Sequence, residues 1–185
     1  MMQSMGFKVY DIVRYTPLNE NRFFLDNSVW MYLYCPLGKY EYRRQVIYSK
    51  FFNSILKTKS HLYISSLVLS EFINRWLKFE FNHWKKENNF YQVDFKRDFV
   101  GTSRYNKAVK VITNRIEEIL KLCNRSSDNF NELDIERLLT HFQNIDFNDS
   151  YYIELSSLDN FKIVTDDKDF IKYTNHDVEV LTFIK

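Results

Sequence analysis

Five acidic residues stand where short apolar runs end or helices begin. Asp26 ends one such run, Glu71 lies in the first turns of a predicted helix, Asp149 opens another helix, and Asp166 and Asp167 follow a third apolar run. Carboxylate oxygens are the ligands that hard cations such as Mg²⁺ and Mn²⁺ prefer. Two carboxylates about 4 Å apart repel by roughly 4 kcal/mol at an effective dielectric near 20, so such a group needs a cation or a retained proton.

Each of these acids also has a structural explanation, and the sequence leaves both interpretations open. Asp149 is a suitable helix N-cap, and Glu71 suits the positive end of a helix. Asp166 and Asp167 are typical of a polar turn. Because the acids are far apart in the chain, only the fold can bring them together.

The pattern of apolar residues predicts strands that alternate with helices. The predicted strands are 22–26, 61–65, 161–165 and 178–183, with an extra strand within 8–15. The predicted helices are 28–34, 43–56, 66 to about 86, 105–123, 133–142 and 149–158, with a helical turn at 168–173 and a loop at 124–129. This alternation predicts an α/β fold with a central parallel sheet of about four to five strands flanked by helices. Ligands of such sheets bind beyond the carboxyl ends of the strands, where the acids fall.

Composition limits the class of protein. The chain has 185 residues, of which 45% are hydrophobic and 27% charged, as expected of a single folded domain over 1–185. The longest uncharged stretch, 27–38, is shorter than the roughly 20 residues that span a bilayer, and the first residues do not resemble a signal peptide. Cys35 and Cys123 show no CxxC spacing, and we expect both to be reduced, buried thiols. We therefore expect a cytoplasmic protein without a membrane segment.

Charge is distributed unevenly along the chain. Residues 128–185 contain 13 Asp and Glu against 5 Lys and Arg, whereas 1–127 contain 21 Lys and Arg against 11 Asp and Glu. The segment 39–59 has six basic residues and one acid. It is either a solvated helix face or a basic approach to an acidic centre, and the second arrangement would suit a nucleic-acid substrate.

Four segments resemble the motifs of PIN-domain ribonucleases in the order of that family. They are FFLDNSVW at 23–30, YISSLVLSEF at 63–72, DFNDSYYIELS at 146–156 and IVTDDKDF at 163–170. The set looks most like the VapC-like toxins of bacterial toxin–antitoxin systems. The resemblance implies a PIN-like fold with the metal-binding, catalytic acids Asp26, Glu71, Asp149 and Asp167, with Asp166 as a substitute, and with Ser28 and Thr165 as supporting residues.

The same resemblance implies a function. It is Mg²⁺- or Mn²⁺-dependent hydrolysis of RNA phosphodiester bonds by an endonuclease, with a cognate antitoxin protein as partner and a homodimer as the usual assembly. The chain departs from minimal members in an N-terminal extension over 1–20 and a helical insertion around 80–125. Single-stranded RNA is the expected substrate, because unpaired bases can stack on side chains.

Basic and aromatic residues outside the motifs are candidate RNA contacts. The candidate phosphate contacts are Arg43, Arg44, Lys50, Lys85, Lys86, Arg104 and Lys107, and the candidate stacking groups are Tyr40, Tyr42 and Tyr91. Each of them could instead be an ordinary surface residue of a helix exposed to solvent.

The sequence also bears on other functional classes. A catalytically inactive PIN-fold module that binds RNA or protein is the main alternative. A haloacid-type phosphatase would need Asp-x-Asp where the chain has Asp26-Asn27-Ser28, and a P-loop enzyme would need a Gly-rich Lys-Ser/Thr loop. A calcium loop from Asp146 fails because its sixth position is not glycine and its twelfth is not glutamate.

Overall fold

A computed structural model describes residues 8–38 and 41–184. The first seven residues of the predicted extension, and Tyr40 among the stacking candidates, lie outside the described residues. Within the described ranges, one sheet contains six strands: β1 Lys8–Asp11, β2 Arg22–Leu25, β3 His61–Ile64, β4 Asn124–Arg125, β5 Lys162–Val164 and β6 Glu179–Thr182. All neighbouring strands are parallel, in the order β1-β6-β5-β2-β3-β4, so the α/β fold with a parallel sheet is confirmed.

Helices connect the strands and cover the sheet. They are α1 Asn27–Tyr34, α2 Tyr42–Thr58, α3 Ser66–Glu87, α4 Ser103–Leu122, α5 Ile135–Phe142, α6 Phe147–Asp159 and the single turn α7 Asp169–Lys172, with a π-helical turn at Phe95–Phe99. No helix in 8–38 or 41–184 is long and apolar enough to cross a bilayer.

Strand β2 lies between β3 and β5, and its sequence explains this central position. Phe23, Phe24 and Leu25 are all buried, because parallel strands with helices on both faces need apolar side chains in succession. The pairing continues one residue past the strand, where the Asp26 amide donates to the Val164 carbonyl at 2.9 Å. The carboxyl ends of β2 and β5 therefore meet at one edge of the sheet.

Two boundaries differ from the sequence-based predictions. The predicted loop 124–129 begins with the two-residue strand β4, which pairs with β3 and extends the sheet to six strands within the described ranges. Helix α6 begins at Phe147 rather than Asp149, because the carboxylate of Asp146 caps it by accepting from the Asp149 amide at 2.9 Å. Asp149 therefore lies inside the first turn and is free of the capping role.

The predicted insertion around 80–125 is held by aromatic rings. Phe99 is fully buried, with its ring centroid 5.4 Å from Phe81 and 5.3 Å from Trp84. The π-helical turn places Phe95 and Phe99 on the same cluster, with 5.6 Å between their centroids. Aromatic pairs at such separations stabilise beyond the area they bury, so the cluster joins the end of α3 to the start of α4.

Candidate metal and active site

Asp26 is positioned by the end of β2 and the start of α1. Its carboxylate caps α1, accepting from the Asn27 amide at 2.5 Å and from the hydroxyls of Ser28 at 2.7 Å and Thr165 at 2.9 Å. Burial raises its pKa, although these hydrogen bonds act in the opposite direction. Four donors including the Ser28 amide therefore fix the orientation of a carboxylate that is almost completely buried.

Ser28 and Thr165 also tie the acidic turn to Asp26. The Thr165 hydroxyl oxygen accepts from the Asp167 amide at 2.9 Å, and the Ser28 hydroxyl oxygen accepts from the Asp166 amide at 3.2 Å. Each hydroxyl thus donates to Asp26 and accepts from the turn after β5. Their positions in the chain are those that the family resemblance implies for supporting residues.

Glu71 projects from the second turn of α3 and is held by α6. Asn148 donates its side-chain amide to Glu71 Oε1 at 2.8 Å, and the Tyr152 hydroxyl donates to Glu71 Oε2. Burial is the largest cause of the raised pKa of Glu71. Asn148 and Tyr152 were not predicted from the sequence, although their spacing of four residues puts both on one face of a helix.

Asp149 is the most perturbed acid of the site. Its side chain is 7% exposed, and no hydrogen bond reaches its carboxylate from residues 8–38 or 41–184. Its pKa is raised to about 9. Burial is the largest cause, and the charges of the surrounding carboxylates Asp26, Asp146, Asp167 and Glu71 are the next. The fold therefore brings the four predicted acids within electrostatic reach of one another, together with Asp146, which the motif comparison had not assigned to the site.

Asp166 has partners outside this group, and the expectation that it could substitute for Asp167 stays a prediction. Its carboxylate forms an ion pair with Arg44 and accepts hydrogen bonds from Tyr32 and, at 3.0 Å, from Tyr48. It is absent from the carboxylates that raise the pKa of Asp149. Adjacent residues of the turn thus point to different partners, and exposed Asp167 is the one that contributes to the acidic cluster.

The chemistry of these donors fits a hard divalent cation. The cluster offers only carboxylate oxygens, and Asp149 is a buried acid that no basic residue of the described chain neutralises. No three His, Cys, Asp or Glu side chains of the described ranges are arranged closely enough to enclose an ion in this structure. Among these acids Asp167 is exposed and Glu71 is half-buried, whereas Asp26 and Asp149 are buried.

Several predicted RNA contacts already have partners. Arg44 is paired with Asp166 and with Glu41, and Arg104 is paired with Glu80 at 2.6 Å and with Glu87 at 3.2 Å. Arg104 joins α4 to α3, and Arg44 joins α2 to the turn after β5. The structure therefore favours structural roles for Arg44 and Arg104 over phosphate binding.

The remaining candidates lie at or near the surface. The Arg43 guanidinium lies 5.1 Å from the centroid of the Phe183 ring, and the Lys85 amine lies 5.3 Å from that of Phe81. The other described candidates are all exposed: Lys50, Lys86, Lys107, Tyr42 and Tyr91. The contacts found among the described residues link none of them to the acidic cluster, so each stays a prediction.

Comparison with known proteins identifies the family. A family model for the PIN domain matches residues 23–175. No match was found among curated proteins. The crystal structure of VapBC2 from Rickettsia felis bound to a DNA fragment from their promoter is similar in fold, with a TM-score of 0.53, 14% identity, and coverage of 88% of this chain and 99% of that chain. Because the family model covers most of the sheet and every acid of the cluster, the chain belongs to the PIN domain family.

Proposed function

We propose that this chain is a divalent-metal-dependent endoribonuclease and the toxin of a toxin–antitoxin pair. PIN domains are generally nucleases, and the acids of the proposed site lie in the matched region. The observation that supports the proposal most directly is Asp149, a buried carboxylate that faces other carboxylates and receives no hydrogen bond from the described residues. Such an arrangement costs stability, and a role in binding a cation is a physical reason for a protein to keep it.

In the proposed site, Asp26 and Asp149 would hold a divalent ion directly, and Glu71 and Asp167 would bind it through water or hold a second ion. Such an ion would supply a more acidic water and would offset charge on the phosphate. Ser28 and Thr165 keep the Asp26 oxygens in one orientation. Asn148 and Tyr152 do the same for Glu71.

The protein's own charge makes RNA binding depend on the ion. Ionised acids at the cluster repel a phosphate, and neutralisation removes that repulsion. The Thr165 hydroxyl donates to the Asp26 carboxylate and accepts from the Asp167 amide, so it ties the ends of β2 and β5 together at the acidic cluster. We expect the scissile phosphate to lie at the edge of the sheet where β2 and β5 end.

The proposed partner is a small antitoxin that covers the acidic cleft. The support is the similarity in fold to VapBC2, whose structure contains a promoter DNA fragment. A basic side chain inserted among the acids would neutralise them as a metal does. A homodimer is part of the same proposal.

The test is cleavage of RNA by the purified protein in Mg²⁺ or Mn²⁺. We expect EDTA to stop cleavage and Asp26→Asn to abolish it while the circular dichroism spectrum stays unchanged. Glu117→Gln, an exposed acid on α4 without an ion pair in the described chain, is the matched control and should cleave normally. Cleavage by Asp26→Asn would refute this site, and metal-independent RNA binding without cleavage would favour an inactive module.

A further inference from the structure

A groove of about 490 Å³ opens beside the turn that contains the acidic residues after β5. Its apolar lining comes from β1, α7 and the end of the chain after β6, and its basic lining comes from two lysines next to the turn. These residues are Val9, Ile171, Phe183 and Ile184, and Lys168 and Lys172. The Arg44–Asp166 ion pair closes the groove on the side of the turn.

The cations around the groove are available to a ligand. Lys168 is exposed and forms no ion pair in the described ranges, and Lys172 has a side chain 72% exposed that pairs only with the surface residue Asp169 at 3.1 Å among the described residues. Exposed ion pairs of this kind contribute little, so a phosphate can displace Asp169. Lys168 and Lys172 are two of only five basic residues in the acidic segment 128–185.

A flat cation lies over the aromatic part of the groove. Arg43 is exposed, and its guanidinium lies 5.1 Å from the centroid of the Phe183 ring, which lines the groove; the lining residue Ile184 is 49% exposed. Unpaired bases stack on guanidinium planes as well as on aromatic rings. The groove thus has an apolar lining and two exposed lysines, with a planar cation over one of its rings.

We propose that this groove binds one unpaired nucleotide of the RNA next to the bond that is cut, with Lys168 and Lys172 on its phosphate and its base against Arg43 and Ile184. The proposal rests on the proposed function and adds a substrate subsite to it. The position supports it, because the groove is lined by Asp166 and Lys168, which flank Asp167 of the acidic cluster in the turn after β5. Charge complementarity favours RNA over an apolar protein segment, since a phosphate would pair with Lys168, which has no ion pair in the described ranges, and with Lys172, whose pair with Asp169 is exposed.

The first test measures binding separately from cleavage. The full chain with Asp26→Asn, which should leave the RNA intact, is titrated in Mg²⁺ with a fluorescent unstructured oligoribonucleotide at several concentrations of monovalent salt. In this background, Lys168→Ala with Lys172→Ala should weaken binding and reduce the slope of log K against log salt by about 1.4, since each single-strand phosphate contact contributes about 0.7. Lys110→Ala with Lys121→Ala, two exposed lysines of α4, is the matched control and should leave the slope unchanged.

The second test addresses the base. Arg43→Lys keeps the charge and removes the planar group, so it should weaken binding of the oligoribonucleotide about fivefold or more. The same change should not affect an oligomer of equal length without bases. Equal losses for both oligomers would overturn the stacking role of Arg43.

The outcomes distinguish this proposal from the nuclease proposal. Failure of the unmutated protein to cleave RNA refutes the nuclease, whereas the binding tests on the Asp26→Asn protein address only the groove. A lysine double variant that binds as the α4 control does would overturn the groove proposal. If Lys168→Ala with Lys172→Ala leaves RNA binding unchanged but alters the sedimentation coefficient, the groove is an interface between copies of the chain. That result would also overturn the groove proposal.

Discussion

Replacement of Asp149 by asparagine should stabilise the metal-free protein at neutral pH. The carboxyl has a pKa of about 9 when folded against an ordinary value of 3.8, because it is buried among other acids. The folded state therefore binds more protons than the unfolded state between these two pH values. The contribution of Asp149 to the free energy of unfolding must therefore fall as pH rises through this range.

The size of the effect follows from proton linkage. Each pH unit above 3.8 costs at most about 1.4 kcal/mol for a single proton, so the cost reaches roughly 4 kcal/mol at pH 7. An asparagine side chain at this position would carry no such cost and has almost the same shape as the aspartate. The advantage of Asp149→Asn should therefore be near zero at pH 4 and grow steadily toward pH 8.

The assay is urea unfolding in EDTA, followed by tryptophan fluorescence, at pH 5, 6, 7 and 8. Saturating Mg²⁺ should raise the unfolding midpoint of the unmutated protein and shift Asp149→Asn less, since ions that bind only the folded state stabilise it. Glu117→Gln, with its exposed side chain, controls for loss of one negative charge. A constant destabilisation of Asp149→Asn at every pH would refute the reasoning.

Two further predictions concern the turn after β5. Asp166→Asn should lower the free energy of unfolding by about 1–3 kcal/mol, because Arg44, Tyr32 and Tyr48 each lose their contact with the Asp166 carboxylate. Asp167→Asn should weaken Mg²⁺ binding with little loss of stability. Urea unfolding and titration calorimetry measure the two effects, and the reverse pattern would reassign the ligand. Thr165→Val should cost about 1–3 kcal/mol and slow RNA cleavage, because Asp26 loses a donor at 2.9 Å; unchanged kcat would contradict a positioning role.

Secondary structure was largely predictable from the chain. Apolar runs such as 22–26 and 161–165 predicted β2 and β5 within a residue or two, because buried parallel strands require continuous apolar residues. Strand β4 was missed, since its two residues are polar and gain their conformation from pairing with β3. The π-helical turn was missed as well, because its aromatic residues are stabilised by α3 and α4 rather than by a local pattern.

The order of the four motifs in the sequence was enough to indicate the PIN family. It was also enough to select Asp26, Glu71, Asp149 and Asp167 as candidate site residues. Only the tertiary structure showed that the neighbours Asp166 and Asp167 have different partners. Asp166 forms an ion pair with Arg44, whereas the charge of Asp167 raises the pKa of Asp149. It also decided that Asp146 caps α6 and that Asn148 and Tyr152 hold Glu71. The physical reason is that a sequence specifies residue types and periodicity, while side-chain direction, burial and the dielectric around a carboxylate depend on every element packed against it.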